Sequence, residues 1–211
     1  MKRCTLILLA SMIPSLAFSA DPNPVVEIKT SEGVITVELY KDKAPISVEN
    51  FLKYVEKKHY DGTVFHRVMS TFMIQGGGFA QKPDGKHEQK EVAAPIKNEA
   101  SNGLKNDRGT IAMARTSDPD SATAQFFINV VDNAGLNRPS PDGHGYAVFG
   151  KVTTGLDVVD KIKAVPVTQK PLIARGPDGS TRESPMQNVP EKDVVIESIT
   201  LKKAEPAKDS K

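Results

Sequence analysis

Between Val25 and Leu201 turn residues cut the chain into seven or eight short β-prone runs, and only two stretches carry helical spacing instead. The runs are Val25 to Thr30, Val34 to Tyr40, Thr63 to Met69, Phe72 to Gln75, Arg108 to Arg115, Gln125 to Val131, Tyr146 to Val152 and Val194 to Leu201. In the second, Ile35, Val37 and Leu39 alternate with Thr36, Glu38 and Tyr40, as a half-buried strand requires. Ser31-Glu32-Gly33 joins the first two as a hairpin. Helices are predicted over Pro45 to Lys57, from Val48, Phe51, Leu52 and Val55, and over Gly155 to Ala164, from Leu156, Val159 and Ile162. Glu49 is placed in the first turn of the first helix and Lys57 and Lys58 in its last, as the helix dipole favours. Ala80 to Asn98 and Pro166 to Glu191 read as long surface loops. Many short strands with few helices point to a mainly β fold, an antiparallel barrel or sandwich. With no linker or repeat, residues 21 to 201 read as one domain.

The two ends differ from this body. Lys2 and Arg3 precede an apolar run, Leu6 to Ile13, and then Ala17-Phe18-Ser19-Ala20. This is the pattern of a secretory signal peptide over residues 1 to 20, cut near Ser19 or Ala20. The apolar run is shorter than the roughly 20 residues a membrane span needs, and Pro14 ends it. Its only cysteine, Cys4, lies in that segment, so the mature chain has no disulfide and depends on its core. Of 28 basic residues the signal removes 2, leaving 26 against 26 acidic ones. A mature charge of zero with no basic patch argues against nucleic acid or a membrane surface as partner, and a monomer is expected. The tail from Lys202 (KKAEPAKDSK) is charged and reads as disordered.

Mixed chemistry concentrates in FHRVMSTFMIQGGGF, Phe65 to Phe79. A guanidinium in an apolar strand is costly to desolvate, so Arg67 faces either solvent or a site. Phe72, Met73 and Gln75 could give it a pocket with one amide and one cation at the rim. His59, His66, His87 and His144 have no metal-ligand spacing, so no metal site is expected, and His66 reads as structural because strand neighbours face opposite ways. Gly76-Gly77-Gly78 lacks the lysine and hydroxyl of a phosphate loop and fits a close backbone approach. Of Phe126 and Phe127, alternation gives one to the core and one to a site.

With FHRV...FMIQGGGF, GTIAMAR (Gly109 to Arg115), QFFI (Gln125 to Ile128), YAVFGKV (Tyr146 to Val152) and the helix APISVENF (Ala44 to Phe51), the chain resembles the cyclophilins. These are peptidyl-prolyl cis-trans isomerases, and the signal peptide points to their exported bacterial branch. The resemblance implies an eight-stranded antiparallel β-barrel capped by two α-helices. It implies rotation of Xaa-Pro bonds in proline-containing polypeptides, without a cofactor, in exported proteins folding in the periplasm. Carried over by position, Arg67 is the catalytic arginine and Gln75 its polar partner, while Phe72, Met73, Phe127 and Leu136 form the proline pocket. Ala114, Arg115 and Gln125 hold the peptide backbone, with Arg115 where asparagine is common. Gly135 stands where an aromatic is expected, a departure that bears on cyclosporin binding more than on catalysis, and Tyr146 stands where a histidine is expected and can still donate a hydrogen bond at the rim. A peptide-binding module that uses the groove without catalysis is the alternative those two departures favour.

Overall fold

The computed structural model describes residues 22–176 and 178–202, so the segment read as a signal peptide and the tail beyond Lys202 lie outside the described residues. Thirteen strands form one sheet: β1 (Val25–Thr30), β2 (Gly33–Leu39), β3 (Thr63–Val64), β4 (Arg67–Met69), β5 (Met73–Gly76), β6 (Phe79–Gln81), β7 (His87–Gln89), β8 (Thr110–Met113), β9 (Phe126–Asn129), β10 (Val148–Thr154), β11 (Val167–Arg175), β12 (Thr181–Pro190) and β13 (Val195–Leu201). Their order is β12-β11-β7-β6-β3-β13-β1-β2-β10-β8-β9-β5-β4. β12 and β4, the two ends of that order, lie side by side, so the sheet curls into a near-closed barrel. Two helices, α1 (Pro45–Glu56) and α2 (Leu156–Lys163), pack against it.

The count of thirteen corrects the expected eight, for identifiable reasons. The run Thr63 to Met69 is two strands, because the chain changes partners at Phe65-His66: β3 pairs with β13 and β6, β4 with β5. The stretch Ala80 to Asn98 contains β7, which pairs with β6 around a turn closed by Lys82 N to Lys86 O at 2.7 Å. Pro166 to Glu191 is not a loop but the hairpin β11–β12. That hairpin shows no alternation because little of it is buried; Leu172, at 2% exposure, packs with Val64 and Phe79. β11 also pairs with β7 in parallel, so the sheet is not wholly antiparallel.

α1 begins on Pro45, where a missing N–H is harmless, but Ala44 before it has no oxygen with which to cap the free amides. The Glu99 carboxylate does this from outside, accepting from Ile46 N at 3.0 Å, Ser47 N at 2.7 Å and Ser47 Oγ at 2.7 Å. Glu49 therefore does not serve the first turn as expected. It pairs with Lys53 one turn on, at 2.6 Å, while Lys57 is the residue after the helix.

Val48, Phe51 and Tyr54 face inward from α1, and Phe51 meets Tyr60, Phe126 and Phe149 with ring centroids 5.0, 5.7 and 5.3 Å apart. Each such pair adds about 0.5–1.5 kcal/mol to the area it buries. From β1 and β2, Val26, Ile28, Ile35, Val37 and Leu39 complete an interior with no solvent exposure at these positions. This core makes the barrel wall rigid, and the site lies on the wall's other face.

Candidate active site

Register decides which side chains meet. Arg67 on β4 stands opposite Gln75 on β5, Gln75 opposite Phe127 on β9, Phe127 opposite Ala112 on β8, and Ala112 opposite Val148 on β10. Directly paired residues share a face, so one row of the sheet carries a cation, an amide and an aromatic ring outward. The neighbouring row, Val68, Ile74, Ile128 and Ile111, belongs to the core. Alternation likewise splits the phenylalanine pair: Phe126 is in the core and Phe127 in a second apolar cluster with Met73, Ala112 and Val148.

That second cluster is a pocket of about 100 Å³ lined by Arg67, Phe72, Met73, Gln75, Ala114, Arg115, Phe127, Leu136 and Tyr146. Gln125 is the one expected site residue outside it. It lines an adjoining groove of about 820 Å³ with Gln75, Ala114 and Arg115, and accepts from Gln75 Nε2 at 2.9 Å. Gly78 lies against the same amide, and a Cβ there would fall 2.5 Å from Gln125 Cγ. Gly77 before it has φ +84°, which an L side chain rarely adopts. The glycine run is thus where the backbone approaches the site's polar side.

The two arginines differ in their commitments. Arg115 Nη2 reaches Asp142 at 2.7 and 3.0 Å, its guanidinium donates to Gly145 O and Thr116 O, and it lies 4.3 Å from the Tyr146 ring centre. This holds the Asp142 carboxyl down at about 2 and fixes the 142–145 turn. The Arg115 side chain is thus engaged within the protein while it lines both the pocket and the groove. Arg67, by contrast, is half-buried and, among the described residues, its guanidinium has no hydrogen bond or ion pair. Burial lowers its pKa, with Tyr146 opposing, and at neutral pH it remains charged.

Tyr146 stands between Arg115 and Phe127, whose ring centre is 5.8 Å away at 75°. Gly135 sits in a 3-10 turn, Ala134–Leu136, where an added Cβ would meet nothing within 4 Å. Leu136 from the same turn closes the pocket. His66, buried at 1% exposure against Phe79, is outside the pocket. Among the described residues no cluster of His, Cys, Asp or Glu could hold a metal, and no helix is long and apolar enough to cross a membrane.

Sequence reasoning missed Ala112, which pairs with Phe127, and Val148, which pairs with Ala112, and also four asparagines, Asn106, Asn129, Asn133 and Asn137, whose hydrogen bonds underlie the pocket.

The comparisons with known proteins show the class of protein to which this barrel and its outer-face pocket belong. The family described as cyclophilin type peptidyl-prolyl cis-trans isomerase/CLD matches residues 25–201. A peptidyl-prolyl cis-trans isomerase of Acinetobacter baylyi is 50% identical over 208 residues, 99% of this chain and 100% of that one. Peptidyl-prolyl cis-trans isomerase B of Escherichia coli is 51% identical over 179 residues, covering 84% and 99%. A crystal structure of a cyclophilin type isomerase from Cryptosporidium parvum superposes with a TM-score of 0.65 at 24% identity, covering 87% and 99%. The chain belongs to the cyclophilin-type peptidyl-prolyl cis-trans isomerases. Its activity is rotation of the peptide bond before proline, and the family needs no cofactor for it.

Proposed function

We propose that Arg67 is the catalytic group of this isomerase, that Gln75 orients the substrate beside it, and that Phe72, Met73, Phe127 and Leu136 receive the proline ring. Rotation about an Xaa-Pro amide faces about 18–20 kcal/mol because resonance must be broken. No bond is formed or cleaved, so neither nucleophile nor base is required. As the bond twists, the proline nitrogen becomes pyramidal and regains its lone pair. A guanidinium donating to that nitrogen favours the twisted state over the planar one, which is the differential binding that lowers a barrier. The ring is held while the preceding carbonyl turns, with Ala114, Arg115 and Gln125 aligning the backbone upstream and Tyr146 donating at the rim.

The observation that carries this reading is the contrast between Arg67, free at the rim of the pocket, and Arg115, consumed by Asp142 and Gly145. In a protease-free isomerisation assay, Arg67→Ala is expected to lower kcat/KM by about 10²- to 10³-fold with unchanged Tm. An unchanged rate would refute the assignment.

The substrates we propose are proline-containing segments of exported proteins folding in the periplasm, with the enzyme a monomer that has no stable membrane association. The Lys2-Arg3 start, the Leu6 to Ile13 run and the small residues at 17–20 support export. Mass spectrometry of protein from a periplasmic fraction would be expected to find an N-terminus at Ala20 or Asp21. Recovery in the cytoplasm with residues 1 to 20 intact would count against it.

A further inference from the structure

The side-chain amides behind the pocket form a chain with one direction. Asn133 Nδ2 donates to Asn129 Oδ1 at 2.7 Å, Asn129 Nδ2 to Asn106 Oδ1 at 3.2 Å, and Asn106 Nδ2 to Asn137 Oδ1 at 3.1 Å. Asn129 Nδ2 also donates to Thr110 Oγ1 at 2.9 Å. Asn106 and Asn129 have no solvent exposure. Buried amides are costly unless satisfied, and a fully satisfied network of them rigidifies what it touches.

What this network touches at its ends is the pocket. Asn133 Nδ2 donates to Phe72 O at 2.8 Å and Asn106 Nδ2 to Tyr146 O at 3.3 Å. Asn133 and Asn137 bracket the turn that carries Leu136: Leu136 N donates to Asn133 O at 2.9 Å, and Asn137 is held by Asn106 N at 2.7 Å. Tyr146 N closes the ring of contacts on Leu136 O at 2.9 Å. Three pocket walls from three separate segments are therefore fixed to one polar chain. An apolar core at these positions could support the barrel, but it would not set the spacing between those walls.

We infer that Asn106, Asn129, Asn133 and Asn137 are positioning residues that fix the width of the proline pocket and so set which ring sizes the enzyme accepts. The inference rests on the pocket assignment above. A pocket that rejects one extra methylene typically does so by about 10- to 200-fold, and only rigid walls can maintain such a ratio.

The test compares two peptides, one with proline and one with pipecolic acid, whose ring has one more methylene, by NMR exchange on the intact mature protein. Asn133→Ala and Asn137→Ala are each expected to lower the proline-to-pipecolate ratio of kcat/KM at least threefold. Asn133 and Asn137 are both half-buried, and the Asn137 variant carries the test should Asn133→Ala fail to fold. Thr63→Val, which deletes the buried bond from Thr63 Oγ1 to Tyr60 O far from the pocket, is expected to leave the ratio unchanged. Equal losses on both peptides that follow the fall in Tm would overturn the inference, since the asparagines would then only support the fold. Arg67→Ala run alongside separates the two claims: if it is inactive while the asparagine variants retain the ratio, only this inference fails, whereas full activity in Arg67→Ala refutes the site itself.

Discussion

Gln125 shows how closely a single residue can be constrained. Its amide is held by Gln75 on one side and by the bare Cα of Gly78 on the other. Gly78→Ala is expected to displace it and lose roughly one hydrogen bond of positioning, about 1 kcal/mol or fivefold in kcat/KM, at nearly constant Tm. In a Gln125→Ala background the same change is expected to cost almost nothing, because the atom it strikes is gone. Additive losses in the double-mutant cycle would show that Gly78 acts elsewhere. Arg67, Phe72, Met73 and Gln75 were legible as a group because unlike chemistry crowded into one short stretch; strand alternation assigned one of Phe126 and Phe127 to a site, and only the family resemblance chose Phe127. The pairing of the Arg115 side chain with Asp142 was not legible, because Asp142 lies in a turn whose approach no local pattern reveals. The asparagine chain was illegible for a related reason: four scattered polar residues carry no periodicity, and only the fold aligns their amides.

Among the elements, the strands with one buried face were readable and those without were not. β2 alternates in the sequence because Ile35, Val37 and Leu39 are buried and their neighbours less so. The hairpin β11–β12 is held by other means. Arg175 bonds Gln89 O at 2.9 Å and pairs with Glu88, while His87 and Lys170 meet Asp193 at 2.7 and 3.2 Å. Polar anchors leave no hydrophobic period, so a sequence rich in Pro and Gly there reads as loop. α1 depends on a residue far from it in sequence, and Glu99→Ala is expected to destabilise the protein by about 1–2 kcal/mol, as loss of a good N-cap does. Chemical denaturation would register this as a lower midpoint, with kcat/KM per folded molecule unchanged. An unaltered midpoint would mean that water caps Ile46 and Ser47 equally well.

For the whole molecule, acid is the condition the interior tolerates least. Burial lowers His66 from 6.5 to about 4, and burial with the nearby Lys90 charge does the same to His59. His66 Nδ1 and His59 Nε2 are also buried without hydrogen-bond partners among the described residues. The unfolded chain takes up protons near 6.5 and the folded one only near 4, so protons favour unfolding across that window. Stability is therefore expected to fall as pH drops from 6.5 toward 4, with His66 contributing up to about 1.4 kcal/mol per pH unit and His59 less. Urea midpoints at pH 7 and 4.5 measure the fall, and His66→Phe should flatten it; equal midpoints for the wild type at the two pH values would reject the account. The strand order has a consequence of another kind. β1, the first of the strands to leave a ribosome, pairs with β13, the last to leave, as Val26 with Leu201 and Ile28 with Ile199. β13 also supplies the partner for β3. Until residue 201 emerges, two seams of the barrel have no opposite side. Delayed closure of this sort makes completion of the barrel an event at the end of chain emergence.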